Sequence, residues 1–179
     1  MRRFIAILLA AAFALAAAGC GGSGDQSFSA DGYPFTFNFP SAWTLTRGAG
    51  TDDSGGAALR TVTVALKQPY DQVSISQYKL KKKLPSGANG YQPEVDRVVK
   101  RLTREAGGEA GDAKQVKYGD LPGYQYVVSY SSGGQKLQNQ LTFLFQGENE
   151  FLIGCQSSPD KRDELSDGCK QILESLEFD

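Results

Sequence analysis

The chain offers few residues for catalytic chemistry. It has three cysteines and no histidine, so the familiar serine and cysteine triads lack their imidazole base. Ser158 and Lys161 have the spacing of a Ser-x-x-Lys pair, but Ser158 also stands where a helix N-cap is expected. We therefore predict no catalytic residues and no enzyme.

Acidic residues form two groups that could suggest a cation site. Asp160, Asp163 and Asp167 could share one side of a helix, and Asp52 and Asp53 lie in a glycine-rich loop. The first group is typical of a solvated face near the positive end of a helix dipole. The second lacks the ligand spacing and the distal glutamate of a calcium loop. We predict no metal site and no cofactor.

Cys20 ends an N-terminal segment with the layout of an export signal. Arg2 and Arg3 precede the mostly apolar residues 4–18, which would extend about 23 Å as a helix against the ~30 Å of a bilayer core. Residues 17–20 (Ala-Ala-Gly-Cys) resemble the lipobox of bacterial lipoproteins. The resemblance implies a signal peptide at 1–19 and a lipid on Cys20, which would anchor the chain on the extracytoplasmic side of the cell membrane.

Two cysteines remain once Cys20 is assigned to lipid. An exported chain meets oxidising conditions, which favours a disulfide between Cys155 and Cys169. A redox or nucleophilic thiol would need a basic neighbour, and no histidine is present. The bond would close a ring of about 15 residues and stabilise the fold by roughly 3 kcal/mol in the loop-entropy model.

Charge and length limit the classes of partner. Loss of Arg2 and Arg3 with the signal peptide leaves 17 Lys and Arg against 20 Asp and Glu, a net charge of about −3. This weak acidity argues against non-specific nucleic-acid binding. The remaining chain suits one domain, which we place at 32–179, after a lipidated Cys20 and a flexible tether at 20–31.

Lysines cluster in residues 78–85, which we call the lysine segment. It could hold anionic lipid headgroups or a cell-wall polyanion beside the tether. The alternative is a strand end whose lysines discourage edge pairing. The residues concerned are Tyr78, Lys79, Lys81, Lys82 and Lys83.

Alternating apolar residues predict an antiparallel sheet. Residues 33–39 are aromatic at every odd position, and Trp43 and Leu45 continue the alternation, which predicts a hairpin of these two strands. Further strands are predicted around 62–66, 73–75, 113–118, 124–131, 137–146 and 150–156.

Helical spacing marks two amphipathic elements. Pro93 and Glu94 open the first, and Ser158 as N-cap with Pro159 opens the second. The apolar stripe of the first helix is Val95, Val98, Val99, Leu102 and Ala106, and that of the second is Leu165, Cys169, Ile172, Leu173 and Leu176. The sum is an α+β domain with six to eight antiparallel strands flanked by helices.

Three segments resemble proteins with the Mog1/PsbP fold. They are residues 37–43 (Phe-Asn-Phe-Pro-Ser-Ala-Trp), 121–126 (Leu-Pro-Gly-Tyr-Gln-Tyr) and 172–178 (Ile-Leu-Glu-Ser-Leu-Glu-Phe), in an order that spans 33–178. The resemblance implies an α/β/α sandwich. It also implies a binding module, because members include a partner of a small GTPase, an extrinsic photosynthetic subunit and bacterial lipoproteins. No catalytic set belongs to the fold, and the metal-binding histidines of some photosynthetic relatives have no counterpart here.

Two functions follow as expectations. The favoured one is a membrane-anchored, non-catalytic lipoprotein that binds another protein or an envelope component. The alternative is a carrier or sensor that holds a lipid or other hydrophobic molecule in an apolar pocket between sheet and helices, motivated by ten Phe and eight Tyr.

Overall fold

Alternation of apolar and polar residues builds most of the strands. The structure is a computed structural model and describes residues 24–49, 58–67, 70–81 and 91–179. The helices in these ranges are α1 (Gln92–Glu105) and α2 (Arg162–Glu174), and a 3₁₀ turn (Pro159–Lys161) precedes α2. The strands are β1 (Asp25–Phe28), β2 (Phe35–Pro40), β3 (Thr44–Ala49), β4 (Arg60–Ala65), β5 (Gln72–Lys79), β6 (Glu109–Ala110), β7 (Lys114–Tyr118), β8 (Leu121–Ser132), β9 (Gln135–Gln146), β10 (Asn149–Ser157) and β11 (Glu177–Phe178).

The strands form two antiparallel sheets. The large sheet has eight strands in the order β3-β4-β5-β10-β9-β8-β6, with β7 also paired to β8. The small sheet has the order β1-β2-β11. Gly133, Gly134 and Gly147 adopt positive φ angles in the turns of the β8–β9 and β9–β10 hairpins, a backbone region that glycine enters without steric cost. The predicted α+β class and strand number are confirmed.

Each face of the large sheet carries its own hydrophobic cluster. On one face, α1 covers a cluster that includes Tyr124, Tyr126 and Phe143. On the other face, α2 and the small sheet pack over a cluster that includes Phe35 and Phe151, whose rings meet edge to face at 6.0 Å. The result is the sandwich that the resemblance implies.

The predicted hairpin between residues 33–39 and the strand after Trp43 is wrong. β2 pairs with β1 and β11, whereas β3 pairs with β4 in the other sheet. A tight turn, closed by the Trp43 N–H to the Pro40 carbonyl at 3.0 Å, carries the chain from one sheet to the other. Period-two alternation identifies strands but does not say which strands pair.

The predicted flexible tether at 20–31 is too long at its C-terminal end. Asp25–Phe28 form β1, in register with Phe37–Pro40 of β2. Phe28 explains the difference, because its side chain is only 5% exposed and stacks on Phe37 with ring centroids 5.0 Å apart. The ordered domain therefore begins at least as early as Asp25.

The predicted apolar stripe of α1 is correct in part. Val95 and Val99 are buried, but the third buried position is Thr103, and Leu102 is 36% exposed. The Thr103 hydroxyl donates to the Val99 carbonyl at 2.9 Å, so its burial leaves no polar atom without a partner.

The predicted apolar stripe of α2 is confirmed within the helix, whereas Leu176, which is also buried, lies beyond its end. The disulfide joins this helix to the sheet. Cys155 of β10 and Cys169 of α2 are bonded, with their Cα atoms 6.0 Å apart. The residue directly before Cys169, Gly168, meets the Trp43 ring so closely that a Cβ there would lie 2.3 Å from Trp43 Cη2. The disulfide and the contact with Trp43 therefore hold the same turn of α2.

Candidate functional site: an amide-lined groove beside the disulfide

A groove runs beside α2 on the large sheet. On this face α2 packs against β2, β5 and β10, while part of β8 and β9 stays uncovered. The uncovered strands and the adjacent side of α2 enclose about 430 Å³ of space open to solvent. We call it the amide groove, because its floor carries Gln125, Gln138 and Gln140.

The floor offers neutral hydrogen-bonding groups. Gln125 Nε2 donates to Thr142 Oγ1 at 3.1 Å and approaches the Tyr118 hydroxyl at 3.5 Å. Gln140 Nε2 points to Cys169 Sγ at 3.6 Å, so the disulfide forms one end of the floor. The Gln138 side chain makes no hydrogen bond with any residue that the structure describes. Each amide carries both donor and acceptor atoms, so the floor can pair with either kind of group.

An exposed apolar residue lies among these amides. Val127 is 42% exposed, and with Leu102 it is one of the two large apolar side chains that stand out among the described residues. Its neighbours on β8 alternate between faces, with Tyr126 and Val128 buried under α1. A β-branched side chain on an open sheet face, between amides, is a suitable contact for a partner that brings both polar and apolar groups.

The wall of the groove is the exposed side of α2. Arg162, Asp163, Ser166 and Lys170 line it, and Lys170 Nζ lies 3.9 Å from Glu174 Oε1. These four side chains are exposed to solvent. Together with the amides of the floor, they give the groove polar groups that can bind and orient a ligand.

The Ser158–Lys161 pair weighed above does not form. The Ser158 hydroxyl donates to Asp71 Oδ2 at 3.1 Å, and Lys161 Nζ lies 2.8 Å from Glu164 Oε2. The hydrogen bond to Glu164 and its charge raise the pKa of Lys161, which is the opposite of what a lysine base requires. Ser158 occupies the predicted N-cap position, directly before the 3₁₀ turn. Its side chain makes no capping hydrogen bond, so the capping role predicted for it is wrong.

The acidic residues of α2 remain a surface feature. Within the described part of the chain, no group of three or more Asp, Glu, His or Cys residues has the geometry to hold a metal ion. Asp52 and Asp53 lie outside the described residues.

The structure describes the first part of the lysine segment. Tyr78 and Lys79 end β5, and Lys79 Nζ is 3.8 Å from Glu148 Oε2, while Lys81 is exposed. The binding role of the lysine segment beside the tether stays a prediction. Cys20, Lys82 and Lys83 lie outside the described residues.

The sequence contains a pattern from which the shared face of the amide groove residues could have been predicted. The Gly133-Gly134 turn sets the register of β8 and β9, which pairs Gln125 with Thr142 and Val127 with Gln140. The odd-numbered residues of this part of β8 and the even-numbered residues of β9 then share one face, opposite to Tyr124 and Tyr126. What the sequence could not reveal is that α2 leaves this part of the face uncovered.

Comparison with known proteins gives the fold and no family. No protein-family model matches the chain, and no curated protein matches it in sequence. The solved structure of cyanobacterial PsbP (CyanoP) from Synechocystis sp. PCC 6803 superposes with a TM-score of 0.62 at 13% identity, over 90% of this chain and 96% of that one. The domain thus has a PsbP-like fold.

Two further solved structures agree with this fold. LpqN, described as involved in cell envelope biogenesis of Mycobacterium tuberculosis, gives a TM-score of 0.51 at 15% identity, over 85% of this chain and 90% of that one. A protein of Bacteroides thetaiotaomicron VPI-5482 gives 0.52 at 16% identity, over 88% of this chain but 49% of that one. No helix among the described residues is both long and apolar enough to cross a bilayer.

Proposed function

We propose that the protein is a lipid-anchored, extracytoplasmic, non-catalytic binding module that holds a segment of a partner protein in the amide groove. The proposed location rests on the export signal, on the lipobox-like residues before Cys20, and on the disulfide between Cys155 and Cys169, a bond typical of oxidising compartments. An envelope role agrees with the description of LpqN, which has a similar fold.

The amide groove is the observation that carries the proposal. Gln125, Gln138 and Gln140 can pair with the N–H and C=O groups of an extended polypeptide, and Val127 can contact one of its apolar side chains. A carrier of a hydrophobic molecule would need an apolar cavity. The amide groove does not supply one, because it is open to solvent and lined with polar groups.

Site-specific photo-crosslinking tests the groove in living cells. A photoreactive amino acid at Gln138 should capture one defined protein, and Gln125→Ala with Gln140→Ala should reduce the yield several-fold. The matched control carries the same photoreactive group at Thr46, which is exposed on a different strand. Mass spectrometry of the adducts decides the outcome. Equal adducts from Gln138 and Thr46, or none from Gln138, would contradict the proposed binding role of the groove.

Cell fractionation tests the proposed membrane location separately. The native chain should sediment with membranes, and Cys20→Ala should release it or leave it as an unprocessed precursor. A native chain found wholly in the cytosol would contradict lipid anchoring without bearing on the groove.

A further inference from the structure

The outer face of α1 carries a ridge of positive charge. Arg97, Lys100, Arg101 and Arg104 are all exposed, and their spacing of three and four residues places them side by side. Arg97 pairs with Glu94 at 2.7 Å. The other three form no ion pair with any residue that the structure describes. We call these four residues the basic ridge.

An apolar side chain borders the basic ridge. Leu102 is 36% exposed, while the neighbouring Thr103 occupies the buried position that an amphipathic helix gives to an apolar residue. Val98, one turn before Leu102, is half-buried. The helix thus presents an apolar contact next to its unpaired cations.

Two contacts fix this orientation of α1. The Tyr126 hydroxyl donates to Asp96 Oδ1 at 2.7 Å, on the inner side of the helix. Beyond the helix end, Gly108 passes so close to β8 that a Cβ there would lie 2.4 Å from the Ser129 carbonyl oxygen. These two contacts therefore keep the basic ridge on the solvent-facing side of α1.

The basic ridge faces away from the proposed lipid anchor. β1 belongs to the small sheet, which packs on the face of the large sheet opposite to α1. Packed sheets lie about 10 Å apart and a helix adds a further ~10–15 Å, so the outer side of α1 is about 20–25 Å from the layer of β1. From Cys20 to Asp25 the chain reaches at most about 18 Å. A lipid on Cys20 would thus keep the basic ridge off the anchoring membrane.

We propose that the basic ridge and Leu102 form a docking surface for an acidic segment of a partner protein. The segment would present several carboxylates around one apolar side chain, since unpaired cations on an exposed helix favour carboxylates and Leu102 favours an apolar contact. Anionic lipid has the same charge, but the position of the tether argues against it. This surface is separate from the amide groove, on the opposite face of the sheet.

Binding of a defined acidic peptide tests the surface. The probe is a fluorescent, helical 20-residue peptide of Glu and Leu, titrated with the purified chain at low and at physiological salt. The triple variant Lys100→Glu, Arg101→Glu and Arg104→Glu should weaken binding about tenfold at low salt, and added salt should reduce the difference. Leu102→Ala should weaken binding by about threefold at both salt concentrations.

The matched control reverses three exposed cations elsewhere, at Arg47, Lys114 and Lys136, which make no ion pair with described residues. It should bind the peptide within twofold of the native chain. Urea unfolding of each variant verifies the fold. Equal weakening by the control, or native affinity in the triple variant, would overturn the proposal. So would binding of the native chain to phosphatidylglycerol vesicles, lost in the triple variant, with no binding to the peptide.

Discussion

Asp71 allows the sharpest test of how the domain is held together. Its side chain is only 1% exposed, and its carboxylate accepts hydrogen bonds from Ser158 N–H at 2.6 Å and from the Ser158 hydroxyl at 3.1 Å. Ser158 is itself buried, and it directly precedes the 3₁₀ turn that leads into α2. The pair therefore fixes the start of the helix that forms the wall of the amide groove.

The expected loss of stability follows from the two hydrogen bonds between Asp71 and Ser158. Asp71→Ala leaves the Ser158 N–H and hydroxyl buried without an acceptor, at about 1–3 kcal/mol each, so the free energy of unfolding should fall by about 3–5 kcal/mol. Ser158→Ala removes only the hydroxyl bond and should cost about 1–2 kcal/mol. Asp71→Asn keeps the shape and one acceptor oxygen, so its cost should be intermediate, about 2 kcal/mol.

Urea denaturation followed by tryptophan fluorescence measures these values, because the single Trp43 packs against α2 at Gly168. The double variant Asp71→Ala with Ser158→Ala should show a coupling energy of about 1–2 kcal/mol. A variant Asp71→Asn as stable as the native chain would refute the reasoning. That result would mean that desolvation of the buried carboxylate cancels its hydrogen bonds.

Three further predictions concern the same core. Reduction of the Cys155–Cys169 disulfide, which closes a sequence separation of 14, should lower the free energy of unfolding by about 3 kcal/mol in urea titrations with and without reductant; no change would contradict the loop-entropy estimate. Gly168→Ala should destabilise by about 1–3 kcal/mol, although alanine favours helices by about 1 kcal/mol, because the new Cβ meets the Trp43 ring; a gain in thermal midpoint would show that the ring moves aside. Burial raises the pKa of Glu150 above its ordinary 4.5, so the neutral carboxyl is favoured in the fold, and the stability it confers below pH 4.5 is lost as the pH rises through the raised pKa. Glu150→Gln should therefore gain stability relative to the native chain as the pH rises above 4.5, and parallel pH profiles of the two chains would argue against the raised pKa.

Local patterns in the sequence were enough to predict most of the elements. The odd-numbered aromatic residues of β2, the apolar stripe of α2 and the glycine turns of the β8–β9 hairpin each reflect a short-range rule of backbone geometry. The disulfide also followed, because only two cysteines remained after Cys20 was assigned to lipid.

Long-range features could not be predicted from such rules. The sequence does not indicate that β2 belongs to a separate sheet, nor that Phe28 would bring β1 into it. Asp71 and Ser158 are separated by 87 residues, and neither has a local pattern that marks it as buried. Thr103 replaces Leu102 in the buried stripe of α1 because of how the helix sits on the sheet, which only the tertiary structure defines.

The amide groove illustrates the same division. Strand register could have placed Gln125, Gln138 and Gln140 on one face, since it depends on the hairpin turn. That this face stays open depends on the position of α2, which the close contact between Gly168 and Trp43 and the bond to Cys155 determine together.

Intact-mass analysis of the chain recovered from native membranes tests the central claim most directly. We expect a mature chain that begins at Cys20, carries a diacylglyceryl modification, and has Cys155 and Cys169 joined by a disulfide. A cytosolic product that retains residues 1–19, with Cys20 unmodified and the other two cysteines reduced, would contradict the account of an anchored extracytoplasmic binding module.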